Sequence, residues 1–384
     1  MKERTSYRIA AISGDGVGPE VVAAARAVFD AAGERFGFAL EWSELLAGGS
    51  AIDADGLPIR DEDVAAAGAA DAILLGAVGG PKWDDPNATF RPEQALFALR
   101  GGLGLFANLR PVTVHPALVP SSPLRPDLLQ GVDLLIVREL TGGLYFGGRM
   151  EATGEPGARV ASDTLPYSEP EIGRVVRLAF ELARARRGRL TSVDKANVLA
   201  TSRLWRRVVD DLRPEFPDVE VNHQLVDSCA MLLVRQPAAF DVLVTENLFG
   251  DILSDEASVL AGSLGMLPSA SLGERRTDHG IFGLYEPIHG SAPDIVGRDL
   301  ANPIGTILST AMLARWSLGR EDVATAVEKA VARALDDGLR TADLTPPAGA
   351  APGTTRVGTT AMTQAIVDRI EITQAARATV AAEA

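Results

Sequence analysis

Asp251 and Asp255 stand four residues apart in Asn247-Leu248-Phe249-Gly250-Asp251-Ile252-Leu253-Ser254-Asp255, a stretch that reads as the first turns of a helix. That spacing puts both carboxylates on one face. Two anions so close repel each other unless a cation sits between them, and hard oxygen ligands favour Mg²⁺ or Mn²⁺. The competing reading is a solvated helix start, where aspartate is favoured by the positive end of the dipole.

Other residues have types suited to a small anionic substrate. Arg100, Arg110 and Arg138 each lie at the edge of an apolar segment beside glycines. A guanidinium fork matches a carboxylate bidentately, so several converging forks would hold a dicarboxylate in one orientation. The alternative for each is pairing with a structural acid such as Glu139. Tyr145, in Gly143-Leu144-Tyr145-Phe146-Gly147-Gly148, is flanked by glycines that let a turn present its hydroxyl. Lys195 follows a β-rich run, and a lysine at a strand end near cations can act as a base, although most lysines are solvated charges. Glu93, Leu96 and Arg100 recur at spacings of three and four after Pro92, which places an acid, an apolar group and a cation on one helical face.

These residues need rigid supports, and the chain supplies an alternating α/β rhythm. Strands are expected at Tyr7–Ile12, Ala72–Leu75, Asp133–Val137, Leu190–Val193 and Val242–Val244. Helices are expected at Pro19–Gly33, Glu169–Arg187, Ile304–Ser317 and Glu321–Leu335. Gly14-Asp15-Gly16-Val17-Gly18-Pro19 follows a strand and opens a helix, yet position 19 is proline where a dinucleotide fingerprint needs its third glycine. A tight glycine turn is the better reading.

Bulk properties bound the class. At 384 residues the chain suggests two lobes, and 46% hydrophobic with 23% charged residues is a globular composition. Its single cysteine, Cys229, excludes a disulfide framework and fits a reducing compartment. The opening apolar run Ile9–Ile12 is too short for a signal sequence or a membrane span, so the expected location is the cytoplasm. A formal net charge of −14 argues against nucleic acid or an anionic membrane as partner. No Gly-Lys-Ser/Thr phosphate loop supports a phosphoryl-transfer alternative, and a scaffold would leave Tyr145, Lys195 and the aspartates without a purpose.

The ordered segments Gly14–Glu20, Gly79-Gly80-Pro81-Lys82-Trp83, Phe106–Pro111, Val137–Gly147, Val193–Val198, Asn247–Asp255, Leu267–Gly273 and Gly283–Gly297 resemble those of the metal-dependent β-decarboxylating dehydrogenases, the isocitrate/isopropylmalate dehydrogenase family. The resemblance runs through nearly the whole chain. It implies a two-lobed open twisted α/β sheet that is not a Rossmann fold, with residues 1–105 plus 263–384 forming a cofactor-side lobe. Residues 106–262 would form the substrate, metal and dimerisation lobe.

The resemblance also implies roles. Asp251, Asp255 and Asp227 match metal ligands for Mg²⁺ or Mn²⁺, and Asp227 also falls at the substrate. Arg100, Arg110 and Arg138 match the clamp on a 2-hydroxy dicarboxylate, Lys195 the base and Tyr145 the proton donor. Lys195 and Asp227 would reach the partner's site in a homodimer with shared active sites. Cofactor contacts are implied for Gly79, Gly80, Glu93, His289, Gly290, Ser291, Ala292, Pro293, Asp294, Asn302 and Asp343. An aspartate at 294 would accept from ribose hydroxyls and repel a 2′-phosphate, which favours NAD over NADP.

The expected reaction is oxidative decarboxylation of 3-isopropylmalate, as in leucine biosynthesis, with isocitrate, homoisocitrate and D-malate or tartrate as alternatives. The apolar neighbourhood of Leu96 and Leu99 is what favours an isopropyl group. Glu274–Gly280 reads as a polar insertion and Thr373–Ala384 as an alanine-rich extension relative to the family.

Overall fold

Ala72–Ala77 is buried at every position, the pattern of a parallel strand covered on both faces. It belongs to a mixed α/β architecture whose computed structural model describes residues 5–85, 88–122, 124–345 and 352–372. The alanine-rich Thr373–Ala384 lies outside the described residues. In chain order the strands are β1 (Ser6–Gly14), β2 (Ala39–Glu44), β3 (Ala72–Ala77), β4 (Leu105–Thr113), β5 (Asp133–Glu139), β6 (Arg149–Thr153), β7 (Val160–Asp163), β8 (Arg189–Asp194), β9 (Glu220–Leu225), β10 (Val242–Thr245), β11 (Pro268–Arg276) and β12 (Ile281–Pro287).

The chain divides into two compact units, one of Met1–Leu105, His115–Pro123 and Ala261–Ala384, the other of Phe106–Val114 and Leu124–Leu260. The short stretch His115–Pro123 is tied into the first unit by Arg340, whose Nη2 donates to the Ala117 carbonyl at 2.7 Å.

In the first unit the strand order is β2-β1-β3-β12-β11. β2, β1, β3 and β12 run parallel to one another, and β11 pairs antiparallel with β12. The carboxyl ends of β1, β3 and β12 therefore share one edge, the edge at which open α/β sheets place ligands. Across Glu274–Gly280, β11 runs on to Arg276, and Thr277 closes a turn by donating its N–H to the Gly280 carbonyl at 2.8 Å. Arg275 packs its guanidinium 3.6 Å from the Phe282 ring centre.

The Gly14–Pro19 segment is a tight turn into the helix Gly18–Phe36. The Val17 N–H, which a phosphate-binding loop would offer to a ligand, donates instead to the Ser291 carbonyl at 2.8 Å. Gly16 has φ +59°, and a Cβ there would stand 2.0 Å from that carbonyl oxygen, so only glycine lets the two loops meet. Asp15 joins three loops, accepting from the backbone N–H groups of Gly49, Ser50 and Gly79 at 2.8, 2.7 and 2.8 Å.

In the second unit the order is β4-β5-β10-β8-β9, with β4 antiparallel to β5 and the others parallel. Here too the carboxyl ends of parallel strands align, and they are the ends that carry Arg138, Glu246 and Lys195. The hairpin β6–β7 is exposed along both strands.

Candidate active site

Arg138 is the next-to-last residue of β5, and successive strand residues point to opposite faces. Its side chain turns to the helix Asn247–Ser258, while the neighbouring Glu139 turns away toward Thr141. Asn247 Oδ1 accepts from Arg138 Nε at 3.0 Å and from Nη2 at 2.8 Å, and Arg138 Nη1 donates to Asp251. Glu246 caps this helix, accepting from the N–H groups of Leu248 and Phe249 at 3.0 and 2.9 Å. Gly250 makes room for the arginine: a Cβ there would lie 2.6 Å from Arg138 Cγ.

Arg110, on β4, comes to the same helix. It donates to Asn108 Oδ1 and Ser254 Oγ, both at 2.6 Å, and its guanidinium stands 3.6 Å from Asp251 and 3.6 Å from Asp255. Tyr145 donates its hydroxyl to Asp251 Oδ2 at 2.8 Å. Burial, reinforced by the Asp251 charge, pushes this phenol upward. Desolvation pushes the Asp255 carboxyl upward as well, against the pull of Arg110. The structure thus brings together Arg110, Arg138, Tyr145, Asp251 and Asp255. Helical spacing found the aspartate pair, but the arginines reach it from different strands, which no local pattern discloses.

Lys195 and Asp227 form a separate pair in the same unit, with Nζ 2.8 Å from Oδ1. The hydrogen bond from Lys195 holds the Asp227 carboxyl below its usual range. The lysine is positioned by backbone: its N–H donates to Ser202 Oγ, and Asp194 accepts from Ala196 N and Arg206 Nε. Among the described residues of one chain, no group of three or more His, Cys, Asp or Glu is placed to hold a metal. Two hard carboxylates one helical turn apart nevertheless suit a hard divalent cation, and their shared cation partners already show that this face needs positive charge.

The remaining expected residues belong to the first unit. Leu96 lies on the helix Gln94–Gly102, partly buried against a core that includes Leu99. Arg100 on the same helix is buried and donates to Glu286 Oε1 at 2.9 Å. Glu93 precedes the helix and approaches Gly79; a Cβ on that glycine would stand 2.9 Å from Glu93 Oε1. Gly80 leads into the turn Pro81–Trp83.

His289 Nδ1 lies 2.9 Å from the Gly290 carbonyl, which fixes Nδ1 as the protonated nitrogen. Burial pushes the imidazole downward, so it is neutral at pH 7. Ser291 is buried, Ala292 has φ +38°, and Pro293 opens a turn that presents Asp294. Asn302 Nδ2 donates to Asp343 Oδ2 at 3.0 Å, and Ser263 Oγ donates to the same carboxylate.

Sequence reasoning missed Asn247, Asn108, Ser254 and Glu286 as partners of the arginines. Asn247 had a signal, since it opens the helix that carries both aspartates.

The chain matches the isocitrate/isopropylmalate dehydrogenase family over residues 8–366. It belongs to that family. A 3-isopropylmalate dehydrogenase of Anaeromyxobacter dehalogenans is 58% identical over 337 residues, covering 88% of this chain and 94% of the relative. One from Geobacillus kaustophilus is 56% identical over 344 residues, covering 90% and 91%. Among solved structures, an isocitrate dehydrogenase from Methylococcus capsulatus superposes with a TM-score of 0.81 at 34% identity, covering 95% of this chain and 99% of that one. A β-decarboxylating dehydrogenase from Thermococcus kodakarensis gives 0.73 at 37%, covering 95% and 96%.

As an isocitrate/isopropylmalate dehydrogenase family member the chain is a β-decarboxylating dehydrogenase that works with a nicotinamide cofactor and a metal ion. Among its described residues no helix is long and apolar enough to cross a membrane.

Proposed function

We propose that this enzyme carries out the NAD-dependent oxidative decarboxylation of 3-isopropylmalate to 4-methyl-2-oxopentanoate in leucine biosynthesis. The observation that carries the reading is the convergence of Arg110, Arg138 and Tyr145 on the Asp251/Asp255 face, together with relatives named for that substrate over most of their length. When bound, NAD would accept hydride from the carbinol carbon, and Mg²⁺ or Mn²⁺ held by Asp251, Asp255 and Asp227 would act as a Lewis acid toward the substrate oxygens.

The chain's own residues do the rest. Arg110 and Arg138 bind the malate carboxylates, and Arg100 is assigned to substrate binding by its match to the family. Lys195, through the amine lone pair of Nζ and an intervening water, takes the proton that leaves the hydroxyl as hydride departs. Tyr145 Oη returns a proton to carbon after carbon dioxide is lost. Leu96 meets the isopropyl group. On the first unit we assign the cofactor to Gly79, Gly80, Glu93, the turn His289–Asp294, Asn302 and Asp343, with Asp294 selecting NAD. The first unit is then the cofactor side and the second the substrate, metal and dimerisation side.

A homodimer with shared sites follows from the same reading. Asp227 and Lys195 face each other within one chain. Beside Asp227, the helices Val226–Arg235 and Asn247–Ser258 pack together and expose Met231, Val234 and Ile252 at 59%, 41% and 57%. A second copy covering these residues would carry its own Lys195 and Asp227 toward the site. The hairpin β6–β7, too small to be stable alone, exposes Met150 and Val160 and would join the same interface. A cytoplasmic location suits the single buried thiol of Cys229.

The deciding experiment follows NADH formation with 3-isopropylmalate, with and without Mg²⁺ or Mn²⁺. Metal-dependent NADH production with this substrate is expected. Faster turnover of isocitrate, homoisocitrate or D-malate would transfer the assignment to that acid.

A further inference from the structure

Tyr167, just ahead of the helix Glu169–Ala185, places its phenol among residues that hold Arg138 and the turn leading to Tyr145. Its hydroxyl donates to Glu139 Oε2 at 3.0 Å and accepts from the Asn247 backbone N–H at 3.0 Å. Glu246 Oε2 stands 3.5 Å away on the other side. Burial and the two carboxylates push this phenol upward, so it remains a protonated donor across the working pH range. The ring is held edge-on against Trp205, with centroids 5.9 Å apart.

Each contact leads to one of the working residues. Asn247, anchored by its N–H on Tyr167, holds Arg138 through two hydrogen bonds to Oδ1. The Asn247 side chain also donates to the Gly142 carbonyl at 3.2 Å. Glu139, held by the phenol, accepts from Thr141 N at 2.7 Å, Thr141 Oγ1 at 2.8 Å and Gly142 N at 2.8 Å, which closes the turn that leads to Tyr145. The ring presses on that turn: a Cβ on Gly142 would stand 2.5 Å from Tyr167 Cε1, and one on Gly143, at φ +73°, would stand 2.8 Å from the hydroxyl oxygen.

We propose that Tyr167 is a positioning residue that sets the Arg138 fork and the Tyr145 hydroxyl together, through Asn247 on one side and the Glu139–Gly143 turn on the other. One hydroxyl thereby fixes both the group that binds a substrate carboxylate and the group that delivers the proton. The inference rests on the roles assigned above to Arg138 and Tyr145.

The test is Tyr167→Phe, assayed with whichever 2-hydroxy dicarboxylate the wild-type enzyme oxidises, so that a wrong substrate assignment does not affect it. We expect kcat/KM for the hydroxy acid to fall about tenfold or more, with kcat reduced and KM raised, while KM for the nicotinamide cofactor changes less than about twofold. In the Arg138→Lys and Tyr145→Phe backgrounds the same change should cost much less than in wild type, because residues that act through one another are not additive. Equal losses toward both substrates, or full additivity in both double variants, would overturn the proposal. If Tyr167→Phe does not fold, Glu139→Gln keeps the ring packing, removes the carboxylate that holds the hydroxyl, and is read by the same two criteria.

Discussion

Lys195 and Asp227 are bound to each other within one chain, Nζ to Oδ1 at 2.8 Å. A base and a metal-type acid are thus delivered as one unit on neighbouring backbone elements. Replacing Lys195 by Met should lower kcat by about 10²- to 10⁴-fold, the usual worth of a positioned proton-transfer group, and leave substrate KM much less affected. Tyr145→Phe should show the same split. Steady-state kinetics with 3-isopropylmalate decides it, and an unchanged kcat in either variant would remove that residue from its role.

Asp251 serves two partners at once, the guanidinium of Arg138 and the hydroxyl of Tyr145. Asp251→Asn should weaken Mn²⁺ binding, followed by titration calorimetry, by about 100-fold or more, since even outer hydrogen-bond partners of metal ligands are worth 10–100-fold. Retention of wild-type Mn²⁺ affinity would place the metal elsewhere.

Leu96 is only partly covered by its own core, which leaves an apolar surface for substrate. Burying a branched group of isopropyl size is worth roughly 1.5–3 kcal/mol, or one to two decades of discrimination. Leu96→Ser should therefore narrow the ratio of kcat/KM for 3-isopropylmalate over D-malate. An unaltered ratio would show that selectivity lies elsewhere.

Met231 and Ile252 are more than half exposed on adjacent helices. Replacing either by Glu puts a charge into the proposed subunit contact, and sedimentation velocity should then show monomer where the wild type shows dimer. Activity should be lost in the same variant. A fully active monomer would contradict site sharing.

His115 offers a pH readout apart from catalysis. Burial, assisted by Arg340, pushes its imidazole below the ordinary 6.5, against the weaker pull of Asp336. The unfolded chain then binds a proton that the folded chain resists, so this residue costs nothing above pH 6.5 and destabilises the fold as pH falls below it. Urea midpoints measured between pH 5 and 7.5 should drop with acid less steeply in His115→Gln than in wild type. Parallel curves would remove His115 from the acid sensitivity.

Much of the scaffold was legible in residue periodicity. The strands around Ile9, Leu74, Ile136 and Val244 announce themselves as apolar runs, and the helix Glu321–Asp336 by its recurring buried alanines and valines. β11 was not, because its polar end Glu274–Arg276 looks like a loop until Phe282 supplies the ring on which Arg275 lies. Within the site, Asp251 and Asp255 could be paired by counting along one helix. Arg110 and Arg138 could be grouped only by residue type, since sheet pairing between Asn108 and Arg138 is what sets them beside that helix. Tyr167 gave no signal, because its importance lies in hydrogen bonds to residues 28 and 80 positions away.

The order of β3 and β12 in the sheet has a consequence for the newborn chain. β3 leaves the ribosome early, with an unbroken apolar sequence, and can pair at once with β1. Its other neighbour, β12, begins only at Ile281. Through the synthesis of some two hundred intervening residues β3 therefore presents an unpaired hydrophobic edge, the kind that recruits foreign strands. The second unit, complete by Leu260, can fold during this interval. The interrupted first unit makes the cell's protection of nascent chains part of this enzyme's assembly.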